Sequence, residues 1–269
     1  MDVSETPGWQ DRIQAHLPHS ARTWNYLLGG QDNYPPDREV GGMIINMFPD
    51  IALLARLQRR FLVAAVTYLA KEAGIRQFLD IGAGLPTADN THEVAQAIAP
   101  ECRVVYVDND PLVLVHAEAL LRSAPEGACA YIEADVRDPG KILAEAAETL
   151  DFSKPIGLTM LGIMGQLPDS DDPHSIVRTL VDALPSGSYL ALGDGTDTNE
   201  TLNQAIATYN ANSASSYHLR SRDEITRYFE GLELVPPGVT TSAQWRPGPV
   251  EVGTPLETSD AVCGVGRKP

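Results

Sequence analysis

The sequence predicts an α/β fold with a doubly wound, mostly parallel sheet of seven strands, the last antiparallel, and three observations carry that reading. From Ile75 onward, short apolar runs alternate with helical stretches. The first of those runs passes directly into a small-residue loop containing Gly82 and Gly84. Before Ile75 the spacing is helical and no convincing strand occurs. Residues 1–74 therefore read as an N-terminal helical extension and residues 75–269 as the α/β domain.

Taken in order, "PPDREVGGMIINMF" opens on two prolines with early acids, which suits a helix N-terminus. The stretch "PDIALLARLQRRFLVAAVTYLAKEAG" sets Leu54, Leu57, Phe61, Ala65 and Tyr68 at helical spacing, with Asp50 as cap and Gly74 as stop. It predicts a long helix packed along one face. Strands follow at "IRQFLDI", "CRVVYVD", "ACAYIEAD", "PIGLTML" and "SGSYLALGD". Between them lie helices at "THEVAQAIA", "PLVLVHAEALL", "PGKILAEAAETL" and "PHSIVRTLVDAL". Such alternation builds parallel βαβ units, with helices on both faces of the sheet. After a helix at "RSRDEITRYFEG", the runs "LELVPP" and "AVCGVGRK" are expected to pair at one sheet edge. The Pro- and Gly-rich "PPGVTTSAQWRPGPVEVGTP" between them reads as a long loop, and no internal repeat occurs.

A chain of 269 residues with 43% apolar content can bury a substantial core. Its 36 acids against 20 bases leave a formal charge of −16, which argues against attraction to nucleic-acid phosphates. Cys102, Cys129 and Cys263 form no CxxC pair, so neither a zinc site nor a redox motif is expected. The opening "MDVSETPGWQDR" lacks an apolar leader stretch. No run approaches the ~18 apolar residues of a membrane span. A reducing, cytoplasmic setting without membrane partner is expected. No heptad seam announces an oligomer.

In an open α/β sheet, ligands bind beyond the carboxyl ends of the strands near the topological switch point. The first such turn here is "LDIGAGLPT". A dinucleotide fingerprint wants a third glycine or alanine, and Thr87, preceded by Pro86, stands there instead. Asp80, two positions before Gly82, would repel a pyrophosphate and attract a cation such as an amino-acid ammonium. S-adenosylmethionine carries that ammonium, a sulfonium and no phosphate. Asp108 ends the second strand 24 residues beyond Gly84, close to the ~20-residue offset at which an acid meets ribose hydroxyls. Asp135 ends the third, placed to accept from an adenine amino group, with Val136 beside the ring. Three acids ending three consecutive strands make a specific constellation.

The stretches "LDIGAGLPT", "VVYVDNDP" and "ADVRDP", within roughly Ile75 to Asp194, resemble the S-adenosylmethionine-dependent methyltransferases of the Rossmann-like class. "ARTWNYLLGGQDNYPPDREV" resembles the N-terminal signature of a bacterial S-adenosyl methyltransferase family that long went without assigned function. "GLELVPPGV" and "QWRP" resemble its later landmarks, so the similarity spans nearly the whole chain. The resemblance implies that Asp80, Gly82, Ala83 and Gly84 hold the methionine part of the cofactor, Asp108 and Asn109 the ribose, and Asp135 and Val136 the adenine. The segment "WNYLLGGQDNY" has two readings: a helix ending at Gly29 or Gly30 with a polar turn, or a lid over the cofactor. The resemblance favours the lid, with Tyr26, Gly30 and Asn33 in contact.

Methyl transfer needs a general base only where the acceptor loses a proton as it attacks. Relatives often carry Leu-His where this chain has Met164 and Gly165, and a His near Asp194 or Gly195. Neither carries over, and His92, His116, His174 and His218 read as surface or helix residues, so no catalytic residue is assigned. No Asn- or Asp-Pro-Pro-aromatic stretch follows the fourth strand, where enzymes acting on nucleobase amines resemble one another. The expected acceptor is a small molecule. Two alternatives remain at this stage: a non-catalytic protein binding S-adenosylmethionine or S-adenosylhomocysteine, and an NAD-dependent oxidoreductase.

Overall fold

The computed structural model describes residues 13–120, 122–213, 215–246 and 260–269. The acidic opening, Leu121 at the end of "PLVLVHAEALL", Pro247 of "QWRP" and the rest of the long loop to Thr258 and Ser259 lie outside the described residues.

Three helices come first: α1 (Ser20–Leu27), α2 (Pro35–Met47) and α3 (Ile51–Lys71). Pro35 and Pro36 begin α2, and the Asp37 carboxylate accepts the Tyr34 N–H at 2.8 Å, satisfying a donor the helix leaves open. Asp50 does stand at the N-cap of α3, but its side chain makes no capping hydrogen bond. The helix ends at Lys71, short of Gly74. Then come β1 (Gln77–Ile81), α4 (Thr91–Ile98), β2 (Arg103–Asp108), α5 (Pro111–Leu120), β3 (Ala128–Glu133), α6 (Pro139–Ala146) and β4 (Gly157–Leu161). The order continues with α7 (Pro173–Ala183), β5 (Tyr189–Gly195), α8 (Glu200–Asn212), α9 (Arg222–Arg227), β6 (Glu233–Leu234), β7 (Thr240–Thr241) and β8 (Ala261–Arg267).

All seven expected strands are present, and the two-residue β7 makes an eighth. The sheet runs β3-β2-β1-β4-β5-β8-β6, with β7 also paired to β8. Strands β1 to β5 are parallel, and β8 is antiparallel to β5, β6 and β7. Chain order reverses between β1 and β4, so the switch point lies directly beyond Asp80.

The parallel strands are covered on both faces, as their near-continuous apolar character requires. Leu79, Ile81, Val105 and Val107 point into one core with Ile142 of α6, Leu180 of α7 and Ile225 of α9. Their neighbours Phe78, Val104 and Tyr106 point into the other, against Phe61, Ala65 and Leu69 of α3 and Ala95 of α4. The front half of α3 instead joins α1, α2 and α8 in a third cluster that includes Leu27, Ile44, Ile51, Leu54, Leu202 and Tyr209. One long helix thus ties the extension to the sheet.

The sequence reading did not anticipate α8. Its stretch "ETLNQAIATYNAN" is rich in Asn, Gln and Thr and buries only Leu202, Ala205 and Tyr209, a thin apolar stripe. Tertiary packing under α2 stabilises what propensity alone leaves weak. Among the described residues no single helix is long and apolar enough to cross a membrane.

Candidate functional site

A cavity of about 440 Å³ opens beyond the carboxyl ends of β1 to β5 and is roofed by α1, α3 and α8. It lies within the size range of ligand pockets. Asp80, Gly82, Ala83, Gly84, Asp108, Asn109, Asp135 and Val136 all line it. The parallel register brings them together, because Asp80 sits beside Tyr106 of β2, and Asp108 beside Glu133 of β3, at the same end of the sheet.

Asp80 is buried, with 7% of its surface exposed. Its Oδ2 accepts from the Thr91 hydroxyl at 2.6 Å and its Oδ1 from the Thr159 hydroxyl at 2.7 Å. Burial pushes its carboxyl above the usual carboxylate range, while the two hydroxyls and the Arg59 guanidinium pull it back. Both of its hydrogen-bond donors are neutral, and the carboxylate lines the cavity.

Gly82 and Gly84 have φ of +74° and +65°, a conformation that costs any residue with a Cβ. The amides of Gly82 and Ala83 donate to the Val107 carbonyl at 2.9 and 3.2 Å, locking the turn to β2. A Cβ on Gly82 would meet Ile163 at 2.9 Å, whereas one on Gly84 would meet nothing within 4 Å. The Gly84 amide donates to Asp108 Oδ2 at 2.8 Å, and the Asp110 amide to Asp108 Oδ1 at 3.0 Å. Desolvation raises the Asp108 carboxyl as well. Asp135 is more open and pairs with Arg137, whose guanidinium reaches it at 3.0 Å and Asp171 at 2.6 Å.

Tyr26, Gly30 and Asn33 do not line the cavity; their neighbour Asn25 does. Asn33 Nδ2 donates to Asn25 Oδ1 at 2.8 Å and to the Gly30 carbonyl at 2.9 Å, and Arg38 binds both Asn33 oxygens. A Cβ on Gly30 would collide with the Asn25 side chain at 2.4 Å, and the Tyr26 ring occupies the space beside Gly41. Gly30 and Asn33 fix Asn25, while Tyr26 packs from α1 against α2.

The extension is keyed to the loop after β2 by buried charge. Arg22 lies 3.5 Å from Asp37 and 3.6 Å from Asp110, and His19 lies 3.1 Å from Asp110. All but His19 are almost fully buried. Asp110 is two residues beyond Asp108, so α1 is latched to the loop that presents it.

Sequence reasoning missed several lining residues: His19, Arg59, Arg137 and Tyr217 among them. Arg59 carries its guanidinium over the first loop, donating to the Ala88 and Asp89 carbonyls at 3.0 Å each. Nothing local marks it in a helix that also holds Arg56 and Arg60. Of the four histidines singled out, none lines the cavity. His92 is a helix residue of α4, buried and bonded to the Tyr106 hydroxyl at 2.8 Å. His116, His174 and His218 are partly exposed. Among the described residues no cluster of His, Cys, Asp or Glu could hold a metal ion.

Comparison with known proteins bears on the family and the fold. Residues 7–269 match the model of a family described as S-adenosyl methyltransferase. The crystal structure of a DUF574 family protein from Streptomyces avermitilis is 45% identical, with a TM-score of 0.92 over 96% of this chain and 100% of that one. A structure from Thermobifida fusca, provisionally called a methyltransferase, is 39% identical, with a TM-score of 0.86 over 99% of each chain. A SAM-dependent methyltransferase from Anabaena variabilis shares the fold at 14% identity, with a TM-score of 0.52 over 77% of this chain and 84% of that one. Among curated proteins none matches the chain.

Proposed function

Because the chain belongs to the S-adenosyl methyltransferase family, we propose that it moves a methyl group from S-adenosylmethionine to a small organic acceptor held in this cavity. The observation that carries the reading is the convergence of Asp80, Asp108 and Asp135 with the left-handed Gly82 and Gly84 on one cavity.

The residues present suit that cofactor. Asp80 offers a buried carboxylate, hydrogen-bonded by two hydroxyls, to the ammonium of the methionine part. Gly82, Ala83 and Gly84 let backbone approach closely, and the space beside Gly84 is open. Each oxygen of Asp108 already accepts one amide and retains a lone pair for a ribose hydroxyl, with Asn109 alongside. Asp135 accepts from the adenine amino group, and Val136 covers the ring. When bound, the cofactor supplies a methyl group activated on a sulfonium. The chain's own contribution is orientation, which can account for much of the acceleration of an in-line displacement.

Calorimetry with S-adenosylmethionine, S-adenosylhomocysteine and NAD tests the assignment, followed by a screen with labelled methyl groups. The first two ligands bind and label reaches an acceptor. Preferential binding of NAD would overturn the proposal.

A further inference from the structure

Past the first loop the cavity continues beyond the ends of β4 and β5 into an apolar chamber. Its walls include Trp24 and Leu27 of α1, Ile44 of α2, Ile51 of α3, and Leu202 and Ile206 of α8. The charged lining side chains cluster about the other end: Asp80 and Asp108 at the ends of β1 and β2, Asp135 just past β3, Arg59 on the carbonyls at 88 and 89, and His19 on Asp110. Arg137 bridges Asp135 to Asp171 and the Gln166 carbonyl after β4.

Tyr217 lines this chamber, and its hydroxyl donates to Oδ1 of Asp194. Asp194 is buried, 3% exposed, and its Oδ2 accepts the Gly165 amide at 3.0 Å. The Tyr217 ring occupies the space a Cβ on Gly165 would take, 2.4 Å away, so position 165 must lack a side chain for the ring to lie there. Asn210 of α8 clamps the Tyr217 backbone from both sides, at 2.7 and 2.8 Å. Ring, hydroxyl and backbone are therefore each held in place.

Resting on the methyl-transfer reading above, we propose that Tyr217 and Asp194 form a proton-accepting pair for an uncharged, apolar aromatic alcohol bound in this chamber. The acceptor hydroxyl donates to Tyr217 Oη. As the acceptor oxygen bonds to the methyl carbon and the carbon–sulfur bond of the methylsulfonium donor breaks, the acceptor proton passes to Tyr217 Oη. The proton of Tyr217 passes in turn to Asp194. The products are a methyl ether, a neutral thioether and a protonated Asp194, which later releases its proton to solvent. A neutral amine attacks through its lone pair and loses its proton afterwards, so a buried relay serves an oxygen nucleophile. A carboxylate acceptor would need a free cation, and Arg137, which reaches the segment after β4, is already paired with Asp135 and Asp171. Burial raises the Asp194 carboxyl, which suits it to hold a proton, and raises the Tyr217 phenol well above its ordinary value, so the phenol relays rather than ionises.

The test uses four naphthalenes differing only in nucleophile: 2-naphthol, 2-naphthylamine, 2-naphthoic acid and naphthalene-2-thiol. Each is incubated with the protein and methyl-labelled S-adenosylmethionine, and each is titrated by fluorescence into the protein saturated with S-adenosylhomocysteine. Label passes to 2-naphthol ahead of the other three. Tyr217→Phe, which keeps the ring on Gly165, lowers kcat by about 10²- to 10⁴-fold while KM and cofactor affinity stay near the parent values. Asp194→Asn lowers kcat comparably and removes the acid limb of the pH profile. Gly165→Ala, which displaces the ring but leaves both functional groups, also lowers kcat. Preference for another nucleophile, parental turnover by Tyr217→Phe, or 2-naphthol that neither binds nor reacts while S-adenosylmethionine still binds would each overturn the pair. Failure of S-adenosylmethionine itself to bind would overturn the methyl-transfer reading and the pair with it.

Discussion

Replacing Asp80 by Asn isolates the charge that distinguishes this first loop. Asn fits the same space, and both partners, Thr91 and Thr159, carry hydroxyls that can reverse from donor to acceptor, so the hydrogen bonds survive. What disappears is the carboxylate. A hydrogen bond to a charged group contributes about 1.5–3 kcal/mol net, so S-adenosylmethionine and S-adenosylhomocysteine should bind roughly 10- to 100-fold more weakly. Methylthioadenosine, an adenosyl compound without the amino-acid ammonium, should bind both proteins alike. Stability moves the other way. The folded-state carboxyl is raised by burial, so its contribution is fully present below the ordinary carboxylate value and is lost as pH rises through the raised one. Thermal melts should therefore show Asp80→Asn gaining on the parent as pH rises from acid towards neutrality. Calorimetry with the three ligands decides the matter: equal losses for methylthioadenosine and S-adenosylmethionine would refute the ammonium assignment.

Gly84→Ala should cost about 1–2 kcal/mol in urea unfolding from its left-handed backbone alone, and Gly82→Ala more, because Ile163 stands 2.9 Å from the added carbon. Equal losses would contradict that packing. Arg22→Met strands Asp37 and Asp110 in the interior, and should destabilise the protein by about 3–5 kcal/mol while also weakening cofactor binding through the Asp108 loop; unchanged calorimetric affinity would show that α1 and the loop are uncoupled. Burial pushes the Cys102 and Cys129 thiols up to about 11 and Cys263 higher still, so a thiol-reactive chromophore should label the native protein slowly at neutral pH and faster with each step upward. Prompt labelling at neutral pH would contradict it.

What was legible in the sequence is what short-range chemistry determines. The alternation of runs gave the strands because a buried parallel strand needs four to six apolar residues wherever it sits. Asp80, Gly82 and Gly84 were legible together because a strand-ending turn concentrates its requirements within five residues. The partners of Asp80 were not. Thr159 reaches it through the β1–β4 register, 79 residues along the chain, and Arg59 from a helix assigned to the extension. The "WNYLLGGQDNY" signature announced that its polar residues matter without saying which way they face. The fold turns Asn33 inward as a hub and presents Asn25 to the cavity. Gly165 looked like a lost function until Tyr217, 52 residues later, was seen to fill its place. No local pattern links those two positions, since only the path after α8 brings them together.

The buried acids share a mode of solvation that links fold to chemistry. Asp80 is held by two hydroxyls, Asp108 by the amides of Gly84 and Asp110, and Asp194 by the amides of Gly165 and Gly195 with the Tyr217 phenol. The hydrogen-bond donors are all neutral, and the nearby cations, Arg59 for Asp80 and Arg220 for Asp194, act on these carboxylates without bonding them. The more open Asp135 is instead salt-bridged, by Arg137. Burial raises all three carboxyls, so each is stabilised further by whatever positive charge or proton arrives. On the proposed reading, Asp80 meets that demand with a cationic ligand group, Asp108 with hydroxyl donors, and Asp194 with a proton delivered through Tyr217. The chain's overall −16 has little to do with it. Asp80 and Asp108, at the ends of β1 and β2, make one end of the cavity polar, while Asp194 lies behind Tyr217 at the apolar end.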